Sequence, residues 1–372
     1  MEEKTLFLSN SLSLGGLEKA TVSIANALSS EMDITLYSLK GNSFQYSLNP
    51  LLTYKEASNL KKFYLFHPIS VLRTLNKNNL YKKKQLNFKK IRQDLNLKSY
   101  KNIILSEADI LYAKNIKSIS PRCNLIGWIH SNFDSYKDIY FKDTYHDFLE
   151  NLKYIDKLIV LSEEDKLKYK GIHNNVYKIE NPLTMTKVNK KELNEEVKFK
   201  TISFVGRMDW NIKGLDYLLR IIEEIPSDWK VSIAGDGKDF NRFINSVEEK
   251  NLVDKVIIRG ILKGEKLVKH YVESDIFILT SRFEGFGLVI TEAMCCGLPV
   301  ISFDSPGPRE IIGSINEYGI LVENGNIEIF IKEIIKMISD NNLRLSYSKK
   351  SFERVDKYSI NMIRMKWMNL LC

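Results

Sequence analysis

Proline and cysteine are scarce in this 372-residue chain, at eight and four residues. The cysteines (Cys123, Cys295, Cys296 and Cys372) show neither metal-ligand nor redox spacing, and the two neighbours cannot bridge easily within a helix. A disulfide framework is thereby excluded, and reduced thiols in a cytosolic protein fit best. No apolar run approaches the ~18 residues of a membrane span. The start, MEEKTLFLSN, has neither the basic flank nor the length of a signal peptide. Asp-x-Asp is absent, as is any His/Asp cluster with ligand spacing, so no metal is expected. A full G-x-G-x-x-G is missing too, which leaves dinucleotide binding unsupported.

What is present begins with length, enough for two domains that each bury a core. Apolar content of 44% and charged content of 27% are ordinary for a globular protein. The net charge of +9 is concentrated: Lys55 to Arg92 holds eleven basic residues and one acid, Glu56. Aromatic and aliphatic residues interleave those charges at partly helical spacing. That pattern fits amphipathic helices on an anionic lipid surface, or simply a solvated face. No nucleic-acid motif accompanies it, so nucleic acid is not an expected partner.

Short apolar runs bounded by turn residues predict strands at Thr5–Ser9, Ile34–Leu39, Asn102–Leu105, Leu125–Ile129, Lys157–Leu161 and Val176–Ile179. Asn181-Pro182 and the polar run after it predict a domain boundary. A second series follows at Thr201–Val205, Val231–Ala234, Lys255–Ile258, Asp275–Thr280 and Val300–Phe303. Strands alternating with helix-period segments predict α/β units with parallel sheets. The expected domains are 1–182 and 183–355, with a terminal amphipathic segment over 356–372.

Four places along the chain carry candidate chemistry. Gly15-Gly16 lie between the first strand and the helix-period run beginning at Leu17, so helix N–H groups face the sheet's carboxyl edge. His130 ends a strand, where α/β domains bind ligands. Arg207 and Lys213, in GRMDWNIKG, flank a strand-terminal turn and can bracket two phosphates. Glu284 and Glu292, in TSRFEGFGLVITEAMCCGLPV, are separated by seven residues, one in a loop and one in the helix after it. Both can reach a ligand lying over that helix's N-terminus, which favours phosphate. Carboxylates beside phosphate are unfavourable unless they hold hydroxyls, and a sugar nucleotide offers hydroxyls at both ends of its diphosphate. Any one of these features alone is commonly a solvated or structural residue; several in order are not.

The last stretch resembles the Glu-x7-Glu signature of retaining glycosyltransferase family four, and the resemblance extends over nearly the whole chain. It implies the GT-B fold, two Rossmann-like domains facing across a cleft, with a C-terminal helix packing back on the first. It implies a diphosphate clamp at Arg207 and Lys213, and a Gly15-Gly16 turn approaching the same diphosphate. Ile261 and Leu262 would offer backbone groups to the nucleobase. Glu284 would hold sugar hydroxyls and Glu292 the ribose, with Gly285, Phe286, Gly287 and Leu288 lining the donor. His130 would orient the sugar or acceptor. The run Asp304-Ser305-Pro306-Gly307-Pro308-Arg309-Glu310 departs from the more widespread Gly-Gly form and is similar to members that build bacterial surface polysaccharides.

The expected activity is metal-independent, retaining transfer of a hexose or N-acetylhexosamine from a nucleotide sugar, UDP-linked, to a glycan or lipid-linked acceptor, with no cofactor. The expected location is cytoplasmic, at the inner face of the cell membrane. Two other readings stay open: a sugar-nucleotide epimerase of the same fold, which needs no acceptor, and a non-catalytic sugar-nucleotide-binding module.

Overall fold

The computed structural model describes residues 4–13, 15–40, 46–57, 77–188, 200–313 and 316–372. Two compact units form, one from Met1–Pro182 with Ile360–Cys372, the other from Leu183–Ser359.

The first unit is built on seven parallel strands: β1 (Thr5–Ser11), β2 (Ile34–Lys40), β3 (Thr53–Glu56), β4 (Asn102–Ser106), β5 (Asn124–Trp128), β6 (Lys157–Val160) and β7 (Val176–Lys178). Their spatial order is β3-β2-β1-β4-β5-β6-β7. Central strands such as β4, NIILS, are buried along their whole length, as a parallel sheet covered on both faces requires. The edge strand β3 (TYKE) is mostly exposed, and its charges discourage pairing with another chain. Helices α1 (Gly16–Leu28), α2 (Lys77–Asp94), α3 (Ala113–Ile119), α4 (Tyr145–Leu152) and α5 (Glu163–Lys170) connect the strands. Much of the basic segment expected to be amphipathic, 58–76, lies outside the described residues; from Lys77 onward it is α2.

Six parallel strands make the second sheet: β8 (Lys200–Val205), β9 (Trp229–Ala234), β10 (Val256–Gly260), β11 (Ile276–Leu279), β12 (Val300–Phe303) and β13 (Ile320–Val322). They lie in the order β10-β9-β8-β11-β12-β13. Around them pack α6 (Leu215–Glu224), α7 (Phe240–Glu249), α8 (Gly264–Val272), α9 (Leu288–Cys295), α10 (Pro306–Ile312), α11 (Ile327–Ser339) and α12 (Asn341–Val355). Helix α6 shows why such segments fold here: Leu215, Leu218, Leu219, Ile221 and Ile222 make one apolar stripe, all buried.

The final helix, α13 (Ile360–Leu371), belongs to the first unit. It buries Ile363, Trp367, Leu370 and Leu371. The Trp367 ring lies 4.7 Å from that of Trp128 and 5.8 Å from that of Phe7. Lys366 pairs with the buried Glu180 at 2.5 Å, and Lys157 donates to the Leu370 carbonyl at 2.5 Å. Among the described residues no helix is long and apolar enough to cross a membrane.

Candidate active site

Each sheet reverses its winding once, and there the loops leaving adjacent strands part and leave room for a ligand. In the second unit the reversal falls between β8 and β11. Arg207 and Lys213 follow β8, while Glu284 and α9 follow β11, so topology alone gathers them at one sheet edge.

The loop after β8 is pinned at both ends. Asp209 caps the helical turn Trp210–Lys213 by accepting from the Ile212 amide, and it pairs with Lys238 at 2.8 Å. Burial pushes the Asp209 carboxyl up, but the Lys238 ammonium and that amide outweigh it, leaving the group below its ordinary range. Gly214 then turns with φ +61, against the segment following β11. A Cβ at this position would stand 2.2 Å from the Thr280 carbonyl oxygen. The Thr280 hydroxyl donates to the Lys213 carbonyl at 2.8 Å, and the Arg282 amide to the Ile212 carbonyl at 2.9 Å. This docking delivers the Lys213 ammonium to Glu284 Oε2 at 2.6 Å, both side chains 16% exposed. Ser281 donates to the same oxygen at 3.3 Å. Arg207 is exposed. Sequence reasoning missed the brace beside them: Arg282 grips Asp216 with two hydrogen bonds, at 2.9 and 2.5 Å, and stacks over Tyr217.

Glu292 is only 4% exposed. Its Oε1 accepts from Thr184 at 2.8 Å and its Oε2 from Tyr271 at 3.1 Å. Eight residues after Glu284, it is oriented by partners the sequence gives no reason to pair with it. Phe286 turns inward against Tyr358, so its contribution to this surface is backbone. Gly287 takes φ +95 as it opens α9. Leu288 begins that helix and is buried. The 304–310 loop approaches closely: a Cβ on Gly307 would lie 2.5 Å from the Phe286 Cα. Arg309 closes on Asp304 through two bonds, at 2.9 and 2.8 Å. At the end of β10, Ile261 is exposed and Leu262 half-buried. The Gly235-Asp236-Gly237 turn fits against the loop after β8: Cβ atoms at 235 and 237 would meet the Gly206 carbonyl oxygen at 1.9 Å and the Met208 carbonyl oxygen at 2.5 Å.

In the first unit the winding reverses between β1 and β4. Gly15 and Gly16, both exposed, follow β1 and open α1. Gly15 has extended backbone that any residue could adopt, but a Cβ there would fall 2.1 Å from the Glu18 carboxylate. His130 follows β5 and is 8% exposed, its ring centroid 4.2 Å from that of Trp128. Neither ring nitrogen has a hydrogen-bond partner among the described residues, and burial pushes its pKa down to about 3. The imidazole is therefore neutral. The loop carrying it is held by Asn132, which caps the Ser135 amide at 2.8 Å, and by Asp165, which accepts from the Phe133 amide at 2.8 Å. Among the described residues no group of three or more His, Cys, Asp or Glu is arranged to hold a metal ion.

Two doubly wound parallel units of this kind make up the GT-B class of fold. The structure of sucrose-phosphate synthase from Thermosynechococcus elongatus matches over 99% of this chain and 98% of that one, at TM-score 0.80 and 18% identity. A Staphylococcus aureus TarM mutant in complex with Fondaparinux, alpha-GlcNAc-glycerol and UDP matches over the full length of both chains, at TM-score 0.75 and 18% identity. A family model described as "Glycosyl transferases group 1" matches residues 185–354. An uncharacterized glycosyltransferase of Haemophilus influenzae is 30% identical over the full length of both proteins. The poly(ribitol-phosphate) alpha-N-acetylglucosaminyltransferase of Staphylococcus aureus is 30% identical over 65% of this chain and 48% of its own length. A Campylobacter jejuni relative, 30% identical over 50% of this chain and 52% of its own, is an N-acetylgalactosamine-N,N'-diacetylbacillosaminyl-diphospho-undecaprenol 4-alpha-N-acetylgalactosaminyltransferase. The chain belongs to the glycosyltransferases.

Proposed function

We propose that this glycosyltransferase is a retaining, metal-independent enzyme of family four. In this reading it moves a hexose or N-acetylhexosamine from a UDP-sugar to a lipid-linked glycan in bacterial cell-surface polysaccharide assembly. The observation that carries the reading is the Lys213–Glu284 pair at the switch point of the second unit. A cation and a carboxylate in contact there match the two ends of one ligand, the diphosphate and the sugar hydroxyls. Arg207 and Lys213 take the negative charge that grows on the leaving diphosphate, aided by the first turn of α9. That supply of fixed positive charge does the work a divalent ion does elsewhere.

Glu284 holds sugar hydroxyls. Glu292, its carboxylate oriented by Thr184 and Tyr271, holds the ribose. Ile261 and Leu262 meet the base with backbone groups. In the first unit the Gly15-Gly16 turn serves the diphosphate, and His130 orients the reacting sugar or its acceptor. A neutral imidazole accepts or donates a hydrogen bond without bringing a second positive charge. Retention is supported by the alpha products in the names of the Staphylococcus and Campylobacter relatives, because an alpha product from an alpha-linked nucleotide donor keeps its configuration. The lipid-linked acceptor rests on the undecaprenol compound named for the latter, and the membrane surface on the basic segment 55–92.

The test is a panel of nucleotide sugars incubated with the protein, alone and with lipid-linked glycan acceptors. Release of UDP, with transfer when acceptor is added, is the expected result. Epimerisation without acceptor, or no turnover of any nucleotide sugar, would overturn it.

A further inference from the structure

The first unit holds two acidic groups at its switch point, Glu107 and Asp109, that the reading above does not use. They lie where β4 ends beside β1 and β5. Glu107, the first residue after β4, adopts φ +48, one of three left-handed non-glycine residues among those described. Strain of this sort persists only where the surroundings impose it, and it gathers at binding sites. Two residues on, Asp109 is 2% exposed. The Asn10 amide at the end of β1 donates to it, while its Oδ2 has no hydrogen-bond partner among the described residues. His130, at the end of β5, has both ring nitrogens enclosed and without partners among the same residues. The Glu107 charge acts on both Asp109 and Tyr136, favouring the protonated form of each.

Three orphaned buried polar atoms, one on Asp109 and two on His130, call for an occupant that supplies hydrogen bonds. We propose that Glu107 and Asp109 form the acceptor subsite, holding hydroxyls of the sugar that receives the transferred residue. This rests on the glycosyltransferase reading above and adds to it the group that selects the acceptor. Hydroxyls suit the cluster because each one both donates to a carboxylate oxygen and accepts from an N–H. Burial raises the Asp109 carboxyl well above the usual carboxylate range, so it can also donate to a sugar oxygen. A phosphate or carboxylate ligand is disfavoured beside two acidic side chains.

Binding isotherms with UDP, and with the p-nitrophenyl α-glycosides of glucose, galactose and N-acetylglucosamine, test this. Glu107→Gly removes the carboxylate and relieves the left-handed strain, so the variant should melt at or above the wild-type temperature. It should nevertheless weaken the best-bound glycoside at least tenfold, with UDP affinity within twofold. Asp109→Leu should act likewise, and Asp109→Asn, which keeps an accepting oxygen, should lose no more than about threefold. Unchanged glycoside affinity in Glu107→Gly, or a wild type that binds UDP but none of the glycosides, would overturn the subsite. A wild type that binds a glycoside but not UDP counts against the donor reading alone, so the two failures are separable.

Discussion

The α-carbon of Gly214 faces the carbonyl oxygen of Thr280 so closely that a methyl group there would sit 2.2 Å from it. This contact, with φ +61 at Gly214, sets where Lys213 ends and hence where its ammonium meets Glu284. Gly214→Ala should cost more than about 2 kcal/mol, from left-handed backbone and overlap together. A lowered melting temperature with a disproportionate fall in kcat is expected; wild-type values of both would show the turn to be tolerant.

Arg207→Ala and Lys213→Ala should each lower transfer at least about tenfold, the loss expected when a charge stabilising the leaving group is removed. Lys213→Ala should also disturb sugar selection, because it leaves Glu284 without its ammonium partner. Steady-state rates on the turned-over UDP-sugar check this, and near-wild-type rates in both variants would refute the clamp.

Transfer should continue in excess chelator. Full loss on adding EDTA, restored by magnesium or manganese, would reveal a metal requirement that the cations described above do not meet.

His270 gives a pH dependence of stability. It is buried between Ser203 and Ser232, at 2.8 and 3.3 Å from its ring nitrogens, and burial lowers its pKa to about 4. Above pH ~6.5 the ring is neutral folded or unfolded, and its burial carries no protonation penalty. As pH falls from ~6.5 toward 4, the unfolded chain takes up the proton first and stability drops, by about 1.4 kcal/mol at pH 5.5 from this residue alone. Denaturant titrations at pH 7.5 and 5.5 should differ by at least that much, and His270→Gln should flatten the slope.

The basic segment is tested by sedimentation with anionic and neutral vesicles. Changing Lys82, Lys83, Lys89 and Lys90 to Gln should weaken binding to anionic vesicles at least about tenfold, given roughly 1 kcal/mol per basic group near such a surface. Lys84 is left out because burial lowers its pKa and Asp147 lies near. Salt-insensitive binding, or an unaffected variant, would leave the segment a solvated face.

Central strands were legible because a parallel sheet covered on both faces needs unbroken apolar runs, and β4 (NIILS) and β11 (IFIL) are such runs. The short edge strands β3 (TYKE) and β13 (ILV) carry no comparable signal, since partners rather than composition make them strands. Motif spacing drew attention to Lys213 and Glu284, yet their contact depends on Gly214 fitting Thr280, which spacing does not encode. The partners of Glu292 were illegible for a similar reason. Thr184 lies 108 residues away in sequence and Tyr271 21, and neither residue type announces a carboxylate neighbour. Asp109 reads in sequence as an ordinary acid before an apolar pair; only burial makes it unusual.

The docking of α13 bears on the order in which the molecule can assemble during synthesis. Trp367 fills space beside Phe7 and Trp128, and Asn102 donates to the Leu371 carbonyl at 3.4 Å. The ribosome makes residues 1–182 first, but the core they begin stays open until residues 360–371 emerge. Residues 183–359 are contiguous and meet no such delay. The half synthesised first therefore finishes folding last, and while it waits its nascent apolar surface is what a chaperone would engage.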